Sequence, residues 1–337
     1  MTVYFQGAEL QDFPAPVGVA GMVTTAGSFD PAVARCSVYI ASNATENVNY
    51  LPVIMSAPAT DAWFHFEATF GSAGNNRFWR LFSGTTPLLG TYFTADGALV
   101  IQKHNGTAWV TLFTTPDGTV TANSPSSDRK TFDIRVKIGN PGEFRLYVGK
   151  VPVFAENMLD LTWAGVTSFD RLRLASSFTT LGDGATRRVH FSQVLIADWI
   201  TLGSRVVTRA ANANGSLFEW AGVGHTALNE ITPAATNLTS GAADQRISVG
   251  MAPFPALGVG ERIEGVKVAI NALRDAAGPQ KANIFFKVAG TVDDKSDRGL
   301  TVTAADYSEV WDMSPNTGTY WTPNELNASE PGVRSRA

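Results

Sequence analysis

The chain has 337 residues, with 26 Lys and Arg against 30 Asp and Glu and a formal net charge of −4, so it offers no basic field to nucleic acid. Charged residues are 17% of the total, below the roughly 25% usual for a globular protein, and a single cysteine excludes an intrachain disulfide. At about 150 residues per domain the length predicts two domains; no run of about 18 apolar residues is present to insert in a membrane, and the start lacks the basic and apolar regions of a leader, which predicts a soluble chain.

Period-two alternation dominates as far as about residue 199. Cys36 to Ile40 reads as a strand carrying an inert, buried thiol. In Trp63 to Phe70, Phe64, Phe66, Ala68 and Phe70 point to a core, whereas His65, Glu67 and Thr69 are expected on a wet face. Leu99 to Lys103 and Ala108 to Phe113 flank His104-Asn105-Gly106-Thr107, a strong hairpin signal. A second pair, Phe132 to Ile138 and Phe144 to Val148, is joined through Gly139-Asn140-Pro141-Gly142, and strands at Phe169 to Leu174 and Val189 to Asp198 follow. Short strands with regular turns predict a β-sandwich over residues 1–203.

Between residues 200 and 245 the texture turns to Ala, Asn, Thr and Gly, which suits loops. Arg246 to Met251, Gly265 to Ile270, Ala282 to Val288 and Thr301 to Thr303 then read as strands of a second, smaller sandwich over residues 204–337. Thr322-Pro323-Asn324-Glu325 carries a cap, a proline at the first helical position and a capping-box glutamate, predicting a short helix stopped near Pro331-Gly332.

Signals for chemistry are few. Sandwich glycosidases need paired carboxylates, as a Glu-x-Asp-x-x-Glu run supplies, and none occurs. His65, His104, His190 and His225 fall on separate elements without metal-ligand spacing, no Gly-x-Ser-x-Gly elbow is present, and Asp293 to Gly299 breaks the calcium-loop pattern. The reading is therefore of a protein with no catalytic residue, no metal and no cofactor. Trp79, beside the loop Asn75-Asn76-Arg77, and Trp109 are the candidate saccharide platforms, together with Asn75 and Asn76; Trp220 is a third aromatic near loop-like sequence.

Two stretches carry a resemblance. Phe191-Ser192-Gln193-Val194-Leu195-Ile196-Ala197-Asp198 looks like the last strand of a concanavalin A-like or laminin G-like jelly roll, and the tail from Trp311 to Asn327, followed by Glu330-Pro331-Gly332-Val333, resembles the close of tailed-bacteriophage virion structural proteins. The resemblance implies an accessory virion component such as a fibre, spike or decorating subunit, assembled in the bacterial host cytoplasm. It also implies self-association into a homo-oligomer, contacts with other virion proteins, and attachment to host-surface polysaccharide. A carbohydrate-binding adhesion module is the second reading and a polysaccharide-degrading enzyme the last.

Overall fold

The computed structural model describes residues 2–25, 27–41, 49–70, 76–121, 129–175, 188–230 and 236–337. They fall into two compact units, Met1–Val207 and Thr208–Ala337. The first unit extends past residue 203 because Val206 is buried against Ala8 and Leu195.

In the first unit, alternating apolar side chains form β1 (Val3–Gly7), β2 (Ala20–Val23), β3 (Ser37–Ala41), β4 (Tyr50–Ala59), β5 (Asp61–Phe70), β6 (Asn76–Ser83) and β7 (Thr86–Phe93). They continue through β8 (Leu99–His104), β9 (Trp109–Thr114), β10 (Lys130–Lys137), β11 (Gly139–Val148), β12 (Val151–Leu161), β13 (Phe169–Ala175) and β14 (Arg188–Ala197). One sheet has the order β12-β11-β10-β5-β14-β3-β2, with β1 added on β14; the other has the order β4-β13-β6-β7-β8-β9. Their inner faces meet in one core, a jelly-roll sandwich. Phe66 stacks on Phe132 at 5.2 Å, and Phe70 meets Phe93 of the opposite sheet at 4.6 Å.

The Phe64, Phe66, Ala68 and Phe70 face is buried as its alternation predicts, but His65, Glu67 and Thr69 are not wet. Polar groups overlie that outer face. His65 Nδ1 lies 2.8 Å from Asp133 Oδ1, which also accepts from Thr201 Oγ1 at 2.9 Å. Arg129 pairs with Glu67 at 3.2 Å, and Ser192 Oγ donates to Glu67 at 2.8 Å. The strand ending at Ala197 is interrupted, too. Gln193 takes a left-handed φ of 55°, and the register against β5 shifts between Ser192 and Leu195, so the bulge turns β14 from pairing with β3 to pairing with β1. Cys36 is fully buried, and burial first, then the Glu9 carboxylate, pushes its thiol up to about 12.

In the second unit the strands are β15 (Ala211–Phe218), β16 (Arg246–Met251), β17 (Val266–Ala272), β18 (Lys281–Val288), β19 (Thr291–Asp294), β20 (Arg298–Gly299), β21 (Ala305–Trp311) and β22 (Glu330–Arg336). A sheet of order β15-β16-β22-β18-β19, with β20 on β18, faces the β17–β21 ribbon. Ile284, Phe286 and Val288 of β18 pack with Trp311, Trp321 and Leu326, and Val266, Val268 and Ile270 of the ribbon close over them. Thr301 to Thr303 is not a strand: Val302 is exposed and the segment is a turn, tied where Thr301 N donates to Tyr307 Oη.

The helix α1 (Pro323–Asn327) is capped as predicted, Thr322 Oγ1 accepting from Glu325 N at 3.2 Å, while the Glu325 carboxylate takes Ser314 Oγ. Pro331 and Gly332 do not stop the helix; they lie in β22, between β16 and β18. The last β16 pair is Ser248 with Gly332, so Pro331 sits beyond it and faces Phe286 of β18, where its missing N–H costs no bond to β16. Gly332 is required by contact: a Cβ there would lie 2.3 Å from Ile247 O.

Candidate functional site

Strand alternation sorts the second sheet of the first unit into two faces. Trp79 and Leu81 on β6, Leu172 and Leu174 on β13, and Ile101 on β8 enter the core. Their neighbours Arg80, Arg173 and Gln102 therefore take the outer face. Register aligns them in one row: Arg173 pairs with Arg80, Arg80 with Gly90, Gly90 with Gln102, and Gln102 with Thr111. Arg80 and Arg173 are thus cross-strand neighbours on that outer face.

Beside this row lies a cleft of about 260 Å³ lined by Arg80, Phe82, Thr85, Pro87, His104, Trp109 and Arg173. Its charged lining is cationic. The Arg173 guanidinium carbon sits 4.1 Å from the Phe82 ring and 4.4 Å from the Tyr50 ring. Burial draws the Arg173 pKa below its ordinary value, the Tyr50 side chain opposes this, and the neighbouring Arg171 charge adds to the lowering.

Trp109 is part of the same lining. Its ring meets His104 edge-on at 5.1 Å and 76°, and the Arg77 guanidinium lies over it at 4.9 Å. Arg77 also lies over Tyr92 at 5.6 Å and donates to Gln102 Oε1 at 3.1 Å. The His104 ring is oriented by its own hairpin: Gly106 N–H donates to Nδ1 at 3.2 Å, so the neutral imidazole carries its proton on Nε2.

Of the residues singled out in the sequence, Trp109 lines this cleft and Trp79 does not. Trp79 is 1% exposed and stacks on Phe144 within the core, so its ring is no platform. Asn75 lies outside the described residues, and Asn76 opens β6 through its pairing with Phe93. Trp220 belongs to the second unit, where it packs against Ile247, Ala282 and Val333 and donates to Gln245 O. Reading the sequence for carboxylate pairs and metal ligands passed over Arg80, Gln102, His104 and Arg173. The available signal was spacing: Gln102 and His104, like Arg171 and Arg173, stand two apart on strands and so share a face.

No family model matches the chain, and no curated protein matches it in sequence. Similar solved structures include an endo-β-1,4-glucuronan lyase from the fungus Trichoderma reesei, at 11% identity and a TM-score of 0.47 over 61% of this chain and 98% of that one. An alginate lyase from Chlorella virus matches at 10% identity and a TM-score of 0.40, over 54% of this chain and 92% of that one. The galectin LEC-6 of Caenorhabditis elegans matches at 13% identity and a TM-score of 0.32, over 44% and 90% respectively. Against the expectation of a non-enzymatic chain, polysaccharide lyases recur among these structures. The physical reason for that expectation was narrow, because the residues sought, paired carboxylates, serve hydrolysis.

Proposed function

We propose that the first unit binds an acidic polysaccharide in the cleft on the outer face of its β4-β13-β6-β7-β8-β9 sheet. The observation that carries this is the Arg173 guanidinium in one cleft with the Trp109 ring, Arg80 being only 1% exposed in the same lining. Guanidinium forks match a carboxylate, and an aromatic plate matches the apolar face of a sugar. Binding is expected to weaken as salt rises, since part of it is charge attraction.

His104 favours a further step, eliminative cleavage of that polymer. In such a step a base from solvent takes the proton α to the sugar carboxylate, a carbon–carbon double bond forms, the carbon–oxygen bond β to the carboxylate breaks, and the departing oxygen takes its proton from water. Arg173 stabilises the charge that gathers on the carboxylate. His104 Nε2–H is the cleft group placed to hydrogen-bond the departing oxygen as that bond breaks. Affinity electrophoresis in gels containing alginate or polyglucuronate, against a neutral dextran gel, tests the binding, and the ultraviolet absorbance of an unsaturated product tests the cleavage. Retardation by the acidic polymers alone is expected, and equal mobility in all gels overturns the reading.

The virion setting is proposed on the resemblance carried by Phe191 to Asp198 and by the tail from Trp311 to Val333, with host-surface polysaccharide as the polymer engaged. Immunogold labelling of intact particles tests it, and unlabelled particles count against it.

A further inference from the structure

Gly90 stands in the middle of β7, flanked by β6 and β8, where a residue without a side chain weakens a strand. Its φ is not in the left-handed region, so no backbone requirement explains it. What surrounds it does. A Cβ at this position would meet Arg80 Cγ at 3.0 Å and the Trp109 ring atoms Cζ3 and Cη2 at 3.3 Å. The Cβ direction is therefore filled by two residues of the cleft lining, the Arg80 stem and an edge of the Trp109 indole. Both rest on bare backbone.

We propose that Gly90 is a specificity-determining position of the cleft: it seats the Trp109 indole against β7 and so sets the gap between that ring and the Arg173 guanidinium. The role of that gap in admitting a sugar ring rests on the saccharide reading given above. Two contacts hold the ring in its seat, the Arg77 guanidinium over its face and His104 against its edge. A side chain at position 90 lifts the indole edge and moves the Arg80 stem, narrowing the cleft from its floor. Alanine requires its neighbours to give by a few tenths of an ångström, whereas the larger valine displaces them further. Valine is also a good strand former, so the variant is expected to fold.

The experiment uses the full chain as wild type, Gly90→Ala and Gly90→Val, and the two variants again in a Trp109→Phe background. Melting temperature, near-ultraviolet circular dichroism and titration with alginate oligosaccharides are measured on each. The near-ultraviolet spectrum is expected to change on Gly90→Val only where Trp109 is present. Oligosaccharide binding weakens by about tenfold or more in Gly90→Val and by less in Gly90→Ala, without a fall in melting temperature. A wild type that binds, together with an unchanged Trp109 spectrum or unchanged binding in Gly90→Val, overturns this inference and leaves the saccharide reading standing. A wild type that binds no acidic oligosaccharide overturns the saccharide reading and with it the specificity role, even if the spectrum moves. If Gly90→Val melts far below wild type, Gly90→Ala carries the test, and unchanged oligosaccharide binding in Gly90→Ala overturns the inference.

Discussion

His190 gives the first unit a defined acid sensitivity. It lies on β14 with its Nδ1 3.4 Å from Ser37 Oγ and its ring 5.9 Å from Tyr39, and the Arg188 guanidinium covers that tyrosine at 4.1 Å. Burial, reinforced by the Arg188 charge, lowers its pKa from 6.5 to about 4. A histidine whose folded-state value lies below its unfolded one binds fewer protons when folded. Its contribution is therefore fully present above pH 6.5 and is lost as the pH falls towards 4. The displacement corresponds to at most roughly 3 kcal/mol. Urea unfolding of wild type and His190→Gln across that window measures it. Carboxylate protonation lowers both curves, so the difference between them isolates His190, and the wild type is expected to lose up to about 3 kcal/mol more than the variant. Parallel curves for the two proteins would refute the assignment.

Three further outcomes are expected from packing. Phe66→Ala removes a fully buried ring that stacks on Phe132 and meets Phe78 and Phe191, and should cost about 3–5 kcal/mol in chemical denaturation. Gly332→Ala places a methyl against Ile247 O and the Phe285 ring and should lower the stability of the second unit by at least about 1–3 kcal/mol, read from its thermal transition. Thr201→Val removes the hydroxyl that donates to buried Asp133 and should cost about 1–3 kcal/mol, with amide exchange accelerating selectively around residues 199–207; unchanged exchange there would count against this anchor.

Much of the first unit is legible in its sequence because a strand with one buried face advertises itself by alternation. The hairpin around Asn105-Gly106 and the Phe64 to Phe70 face are such cases. The wet face expected at His65, Glu67 and Thr69 failed because alternation reports which residues turn from the core, not what later covers them. Thr201 and Arg129, far away in sequence, do that covering. In the second unit, Pro331 and Gly332 looked like stop signals, although a proline is tolerated where a strand has a partner on one side only. Of the cleft, Trp109 was legible as an aromatic beside a turn. The pairing of Arg80 with Arg173 was not, since it depends on the register between β6 and β13, whose sequences lie far apart.

The most direct test of the cleft as a saccharide site is a crystal structure of the full chain soaked with a short alginate oligosaccharide. The account predicts a sugar carboxylate against the Arg173 guanidinium, with the ring along Trp109 and His104 Nε2 within hydrogen-bond reach of a glycosidic oxygen. Oligosaccharide bound on another surface, with this cleft holding only solvent, would contradict it.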